Sequence, residues 1–289
     1  LENNIKILID MKIAISGSSG YLGKYLSNEF YKYGHDIIEL KRNESRNISK
    51  FKYQNFDLNF NIQCDLSRVD ILIHCAYDFS KKKWESIRET NINKSIELIN
   101  LAKRSGVKKI FFISTQSAFE ECQSNYGKAK LEIEKKIQGD AVIILRPGLI
   151  IGADLGGIAY YLYLISKLSF ILPIPYNSKT KLYLCHRKDL FDVINLIIKN
   201  NYYSSDPICI SDHTPLSLED VIKQIVKVKK IKPPYILKLN PKLFYITIYI
   251  IEKIFNKIRI STDNLTSLLN TNPNINFKEY KTIQKKFIK

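Results

Sequence analysis

No CxxC pair, no HExxH and no uninterrupted apolar run of about 20 residues occurs in this chain, and each absence closes off a class of function. The five cysteines, Cys64, Cys75, Cys122, Cys185 and Cys209, are odd in number and widely scattered. Their spacing points away from a zinc site and from a disulfide framework, so no metal ligand is assigned and a reducing, cytoplasmic setting is the simplest reading. A chain of 289 residues buries roughly three quarters of its unfolded surface and needs no such staple. Methionine occurs once, at Met11, where the first strongly patterned segment opens. Residues 1–10 are expected to be an N-terminal extension or a frayed tail; they carry no basic stretch followed by an apolar run, so they do not read as a signal peptide.

Acidic residues are also scarce, 28 against 45 Lys and Arg, for a formal charge of +17. The excess is mostly lysine spread along the whole chain, alongside much Asn, Ile, Tyr and Phe, a composition that AT-rich codons produce without any function. No motif that reads RNA or DNA accompanies it, so no nucleic-acid partner is expected. Ile158 to Ile174 is broken by Lys167 and Pro173, and Leu243 to Ile251 is followed by Glu252 and Lys253. Both read as helices packed in a second lobe, with no transmembrane span; the alternative for Leu243 to Ile258 is an interfacial helix.

From Met11 short apolar runs alternate with amphipathic helical stretches, the rhythm of a parallel sheet wrapped by helices. Strands are expected at Lys12 to Ser16, His35 to Leu40, Tyr53 to Phe56, Val69 to Ala76, Lys109 to Ser114 and Ala141 to Arg146. Helices are expected at Tyr21 to Tyr33, about Trp84 to Arg104, and Asn125 to Gln138, with Gly106 as a left-handed cap. After Gly148 the texture becomes less regular, with a further β-like run at Lys181 to His186. The expected architecture is α/β: a Rossmann-type doubly wound parallel sheet over 11–150, its core continuing through parts of 180–211, and a smaller C-terminal substrate lobe over most of 151–289.

The first strand runs into Gly17-Ser18-Ser19-Gly20-Tyr21-Leu22-Gly23. In a dinucleotide-binding turn Gly17 permits the sharp bend, Gly20 lets backbone amides approach a pyrophosphate, and Gly23 lets the helix pack closely on the strand. The spacing alone is weak; its place directly after a first β-strand makes it a cofactor site. At the tip of the second strand stand Lys41 and Arg42, where an NAD-preferring site usually has a carboxylate. Two cations there suit a 2′-phosphate, so NADP is preferred over NAD.

Tyr126 and Lys130 are four residues apart at the start of a helix and share a face. A neighbouring ammonium, with an oxidised nicotinamide, is expected to lower the tyrosine pKa from its ordinary value near ~10 towards operating range. Eleven residues before Tyr126, the strand Ile110-Phe111-Phe112-Ile113 ends in Ser114-Thr115, placing a hydroxyl at the carboxyl edge of the sheet, where ligands of open α/β folds bind.

In these motifs the chain resembles an extended short-chain dehydrogenase/reductase of the NAD-dependent epimerase/dehydratase family, whose members mostly act on nucleotide sugars. The resemblance runs from Met11 to about Leu190. It adds Phe56-Asp57-Leu58, Ile73-His74-Cys75-Ala76, Asn91-Ile92-Asn93-Lys94-Ser95, Leu145-Arg146-Pro147-Gly148 and His186-Arg187-Lys188-Asp189-Leu190. It implies that Tyr126 is the general acid–base, that Lys130 binds the nicotinamide ribose and lowers the tyrosine pKa, and that Thr115 bonds the reacting substrate oxygen. The cofactor set given by the turn and the resemblance together is Gly17, Ser19, Gly20, Tyr21, Leu22, Gly23, Lys41, Arg42, Asp57, Leu58, Cys75, Ala76, Tyr77, Asn91, Lys130 and Pro147.

Departures from the family pattern narrow the chemistry. Sugar 4,6-dehydratases follow the catalytic Thr with Asp-Glu, whereas Gln116-Ser117 follow here. The cysteine of the C3/C5 epimerase-reductases is missing. Leu149 and Lys41 stand where UDP-hexose 4-epimerases have Asn and Asp. The expectation is an NADPH-dependent reduction of a keto group on a nucleotide-linked deoxysugar, as in surface polysaccharide synthesis. The alternatives are a nucleotide-sugar 4-epimerase with bound NAD, and a dinucleotide-sensing binding protein without catalysis. A homodimer is compatible with the resemblance.

Overall fold

The computed structural model describes residues 10–42, 50–176, 180–254 and 262–287. Of the expected N-terminal extension only Asp10 falls among them, and residues 255–258 of the interfacial-helix alternative also lie outside the described residues. The chain divides into two compact units, one made of residues 1–113, 132–145 and 198–207, the other of 114–131, 146–197 and 208–289.

The strands of the main sheet are β1 (Lys12–Ser16), β2 (Asp36–Lys41), β3 (Lys52–Asn55), β4 (Ile71–His74), β5 (Lys109–Ile113) and β6 (Val142–Pro147). The remaining strands are β7 (Leu149–Ile151), β8 (Ile171–Pro175), β9 (Leu184–His186), β10 (Ile208–Ile210) and β11 (Tyr235–Leu239). The seven-stranded sheet has the order β10-β6-β5-β4-β1-β2-β3, and the pairs β1–β2, β1–β4, β2–β3, β4–β5 and β5–β6 are all parallel. The order reverses at β1, between β2 and β4, and that reversal is the switch point where open α/β sheets bind ligands. This is a Rossmann-type α/β fold. Strands β1, β4 and β5 are buried almost throughout, which is why they read as apolar runs rather than alternating patterns.

The helices are α1 (Tyr21–Lys32), α2 (Trp84–Ile87), α3 (Lys94–Arg104), α4 (Asn125–Ile137), α5 (Gly157–Leu168), α6 (Arg187–Lys199), α7 (Leu218–Val228), α8 (Pro241–Ile254), α9 (Thr262–Leu269) and α10 (Lys278–Phe287). The long helix expected at Trp84 to Arg104 is continuous but widens into a π-helical stretch over Arg88–Asn93, and such stretches are frequent at functional sites. The second strand starts one residue later than expected because His35 belongs to the turn that ends α1. Gly34 there has φ +88°, and the His35 amide donates to the Phe30 carbonyl. Gly106, at φ +76°, is the left-handed cap expected of it.

In the second unit, β7 pairs with β9 and β8 with β11, both in parallel. Its core gathers Leu162, Leu172, Ile174, Leu184, Val221, Ile225, Phe244, Leu265 and Leu268. Both apolar stretches noted in the sequence lie here as α5–β8 and α8, and no helix among the described residues is long and apolar enough to cross a membrane.

Candidate active site

The candidate nucleotide-binding turn is built in the first unit. Gly17 takes φ +69°, and a Cβ there would stand 2.9 Å from the Ala76 backbone, so only glycine lets the turn lie against the end of β4. A Cβ on Gly23 would run into the Gly17 carbonyl oxygen, which explains the third glycine: α1 starts in direct contact with the turn. The Gly20 amide donates to the Gly17 carbonyl at 2.9 Å. Gly20 is the N-cap of α1, with no side-chain cap, and the first turn has no acidic residue. Uncapped amides at the positive end of a helix dipole are what an anionic pyrophosphate requires. Ser19 and Gly20 are exposed, Tyr21 and Leu22 half-buried. The Ser18 hydroxyl, by contrast, is buried without a hydrogen-bond partner. The turn therefore fits a dinucleotide.

Beneath the turn lies a polar brace that the sequence reading passed over. Ser16 Oγ bonds His74 Nδ1 at 2.5 Å and His74 Nε2 bonds Ser95 Oγ at 2.8 Å, all three fully or nearly fully buried. Ser16 Oγ also accepts from the Ala76 amide at 3.4 Å. The imidazole stacks on Phe112 and meets Phe56 edge-on. The signal available in the sequence was a lone polar residue at the end of each of two apolar strands, one of them within the quoted Ile73-His74-Cys75-Ala76 motif.

Cys75, Ala76 and Tyr77 follow β4, each half-buried, with the Tyr77 ring against Phe79. Asn91 is fully buried within the π-helical stretch and clasps one backbone position in both directions. Its Oδ1 accepts from the Asp78 amide at 2.6 Å, and its Nδ2 donates to the Asp78 carbonyl at 3.1 Å. It thus holds the segment after β4, in keeping with a bracing role. Leu58 is buried, and Asp57 half-buried with Oδ1 accepting from the Asn59 amide and side chain.

Lys41 departs from the expectation of a free cation at the strand tip. It is buried, and its ammonium donates to Glu39 Oε2 at 2.7 Å, so its charge is already compensated. The two are neighbours on one face of β2 because side chains two apart in a strand point the same way. Arg42, one residue past the strand, is exposed.

The second unit carries the hydroxyl cluster. The Tyr126 phenol and the Thr115 hydroxyl share a hydrogen bond; Thr115 Oγ1 also accepts from the Ser117 amide at 3.2 Å. Lys130 is buried one turn along α4, on the same face as Tyr126. Thr115 is half-buried whereas Ser114 is buried, which makes Thr115 the hydroxyl open to a substrate. Pro147 is buried, and its carbonyl accepts from the Gln116 amide. Gln116 Nε2 donates to Ser211 Oγ at 2.9 Å, so the residue after the hydroxyl serves as a buried brace. Thr115→Val should accordingly cut turnover about tenfold or more with little change in cofactor affinity, measured by steady-state kinetics and cofactor titration. A silent Thr115→Val beside a damaging Ser114→Ala would mean that the wrong hydroxyl has been chosen.

Burial pushes the Tyr126 phenol up to about 12, and the bond with Thr115 only partly offsets it. Desolvation of the phenolate is the larger of these two effects.

The start of α4 owes its position to a residue that sequence reading missed altogether. Asp263 of α9 accepts from the Asn125 amide at 2.6 Å through Oδ1 and from the Tyr126 amide at 3.1 Å through Oδ2. Ser124 Oγ accepts from the Gly127 amide at 3.1 Å. Three otherwise orphaned amides are satisfied, and a negative charge meets the positive end of the helix. Gly127 is required because a Cβ would strike the Ser117 carbonyl. Removing such a cap costs about 1 kcal/mol, so Asp263→Ala should lower stability by about that amount in urea unfolding and reduce turnover roughly tenfold if the tyrosine drifts. Asp263→Asn keeps an acceptor oxygen and should retain most of both. Nothing in the sequence links position 263 to position 126, since the cap is formed across 137 residues.

Residues 13–138 match the model of the NAD dependent epimerase/dehydratase family. This places the glycine turn, Asn91, Thr115, Tyr126 and Lys130 inside the matched segment. No curated protein matches the chain. Among solved structures the chain is similar to MoeE5 in complex with UDP-glucuronic acid and NAD, at 16% identity and a TM-score of 0.65, over 79% of this chain and 86% of that one. It is similar also to UDP-N-acetylglucosamine 4-epimerase from Bacillus cereus, at 19% identity and a TM-score of 0.61, over 81% and 87%. A third similar structure is dTDP-4-dehydrorhamnose reductase from Bacillus anthracis with NADP, at 18% identity and a TM-score of 0.64, over 82% and 86%. At such identities the likeness is one of fold. These relatives differ in reaction and in cofactor, so the residues of this chain must carry any finer reading.

Proposed function

We propose that the protein reduces a keto group on a nucleotide-linked sugar with NADPH. The observation that carries this reading is the hydrogen bond between the Tyr126 phenol and Thr115, with Lys130 buried one turn along the same face of α4. A neutral phenol is equipped to give a proton to the oxygen of a ketone under reduction. Epimerisation through a transient ketone asks the same phenol to take a proton first, which burial disfavours. A nicotinamide cofactor, when bound, supplies the hydride. The turn that Gly17 and Gly23 make possible would present the amides at the start of α1 to its pyrophosphate, and Asn91 holds the segment after β4. Thr115 and Tyr126 orient the carbonyl, and Lys130 anchors the ribose from the buried face of α4. The nucleotide-sugar class is suggested by the relatives, which include a UDP-N-acetylglucosamine epimerase and a dTDP-4-dehydrorhamnose reductase. Gln116, committed to Ser211, is no acid or base, which argues against an added dehydration.

The test mixes the protein with NADPH or NADH and a panel of nucleotide 4-keto-6-deoxysugars, following loss of reduced-nicotinamide absorbance. Stoichiometric oxidation with formation of the alcohol is expected. Interconversion of nucleotide hexoses without net cofactor turnover would overturn the reading in favour of an epimerase.

The cofactor preference is assigned to Arg42, exposed one residue past β2, since Lys41 is buried against Glu39. A single charge-assisted contact to a 2′-phosphate, about 1.5–3 kcal/mol, gives roughly a tenfold to hundredfold preference for NADPH. Arg42→Ala should erase that preference and leave NADH affinity unchanged, as read by titrating both cofactors. Equal affinities in the unmodified protein would remove the basis for NADP.

A further inference from the structure

The second unit exposes a large apolar face of unusual surroundings. In the β8–β11 ribbon the register sets Ile171 beside Tyr235 and Pro173 beside Leu237. Alternation sends Leu172, Ile174 and Ile236 to the core and leaves those four on the opposite side. That side is open: Ile171 is 52%, Tyr235 70% and Leu237 39% exposed. The chain entering β8 adds Leu168 at 73% and Phe170 at 84%, and the Phe170 carbonyl is bonded to the Tyr235 amide. Helix α8, which begins two residues after β11, also exposes Leu243 and Ile246, each by more than half. A contiguous apolar face of this kind marks an interaction site rather than ordinary surface.

The chain segments that form the ribbon carry charge of one sign. Residues 227–242 hold six lysines and no acidic residue, and residues 156–176 hold Lys167 as their only charged side chain. Lys167, Lys230, Lys232 and Lys242 are exposed. Lys238 is turned to Glu219 of α7 and is not counted among them. A second copy of this chain would present the same patch in a two-fold contact, setting lysines against lysines with no carboxylate within these segments to receive them. Exposed apolar and aromatic side chains in segments whose free charges are lysines suit a surface that is anionic at its plane and apolar just below it. We infer that this face of the β8–β11 ribbon, flanked by α8, docks on an anionic lipid bilayer. Phe170, Leu168 and Tyr235 enter the boundary between headgroups and acyl chains, and the lysines meet the headgroups. The contact is peripheral, since it needs only side chains already exposed on a folded unit. It stands whatever reaction the protein catalyses.

The experiment sediments the full chain with vesicles of phosphatidylcholine alone and with about 30 mol% phosphatidylglycerol, at low and physiological salt. Binding to the anionic vesicles should be at least tenfold tighter than to neutral ones and should weaken as salt rises. Phe170→Glu with Tyr235→Glu, and separately Lys230→Glu with Lys232→Glu, should each lower anionic-vesicle binding tenfold or more. All four sites are exposed, and unchanged circular dichroism and cofactor binding would show that the fold persists. Absence of binding to anionic vesicles, or binding that both double variants leave intact, overturns the proposal. A concentration-dependent dimer in light scattering that Phe170→Glu abolishes would also overturn it and assign the face to a second copy.

Discussion

Tyr126→Phe should lose at least ~100-fold in turnover, the range expected for removing a general acid, while binding reduced cofactor as the unmodified protein does. The change deletes one oxygen and keeps the ring, so α4 and its cap by Asp263 stay in place. Turnover and KM should part company: with the proton donor gone, kcat and kcat/KM fall together, as for an interaction made only in the transition state. The pH profile offers a second check with a definite sign. The phenol works as a donor only while protonated, and burial has moved its titration up to about 12. Reductive turnover should therefore show no alkaline limb from this residue below about pH 10, the ordinary value for tyrosine. Between there and 12 the folded chain keeps a proton that the unfolded chain releases, so stability should decline as pH rises through that window. An alkaline limb near neutrality that disappears in Tyr126→Phe would show that the loaded site lowers the phenol pKa by more than burial raises it. Near-normal turnover in Tyr126→Phe would end the proposed mechanism.

What could be read from the chain and what could not divide along physical lines. The parallel sheet was legible because β1, β4 and β5 are buried on both faces and so appear as unbroken apolar runs. The glycine turn was legible because close backbone approach leaves no residue but glycine at 17 and 23. Tyr126 and Lys130 were legible because helical periodicity alone places them on one face. The missed features depend on pairings that no local pattern announces, one of them two residues apart and another across 137. Lys41 looks like a free cation until Glu39 is seen to take its charge within the buried strand. Helix α4 looks uncapped by acid until α9 brings Asp263 to its amides. The direction of the tyrosine shift could not be read either, because desolvation depends on everything packed around the ring and not on the lysine four residues along. The apolar stretches were legible as non-spanning, but which side of β8 faces the core was set by its pairing with β11, and no local pattern announced that pairing.

Gly23→Ala is the substitution expected to separate the cofactor site from the hydroxyl cluster. A Cβ at Gly23 would stand 2.8 Å from the Gly17 carbonyl carbon and 2.9 Å from Ser18 Cα, besides meeting the Gly17 oxygen more closely still. Every one of these atoms is backbone, so no rotamer change can relieve the contact; either the turn or the start of α1 must move. Overpacking of that sort costs about 1–3 kcal/mol, which unfolding in urea would register. The larger effect falls on the dinucleotide. Displacing the turn misaligns the amides at the start of α1, and losing two charge-assisted hydrogen bonds at about 1.5 kcal/mol each corresponds to roughly a hundredfold weaker binding. Gly20→Ala should be milder, because its Cβ would lie 3.1 Å from the Gly17 oxygen alone. Lys24→Ala, one residue past Gly23 and exposed, should change nothing. With enough cofactor to saturate the Gly23→Ala protein, turnover should return to near the unmodified value, since Thr115, Tyr126 and Lys130 are untouched; with Tyr126→Phe no cofactor concentration should restore it. The dinucleotide is titrated against the Gly23→Ala, Gly20→Ala, Lys24→Ala and Tyr126→Phe proteins by calorimetry, alongside circular dichroism to establish that each is folded. Unaltered affinity in a folded Gly23→Ala protein would mean that the glycines serve the packing of α1 on β1 and that the pyrophosphate is held elsewhere.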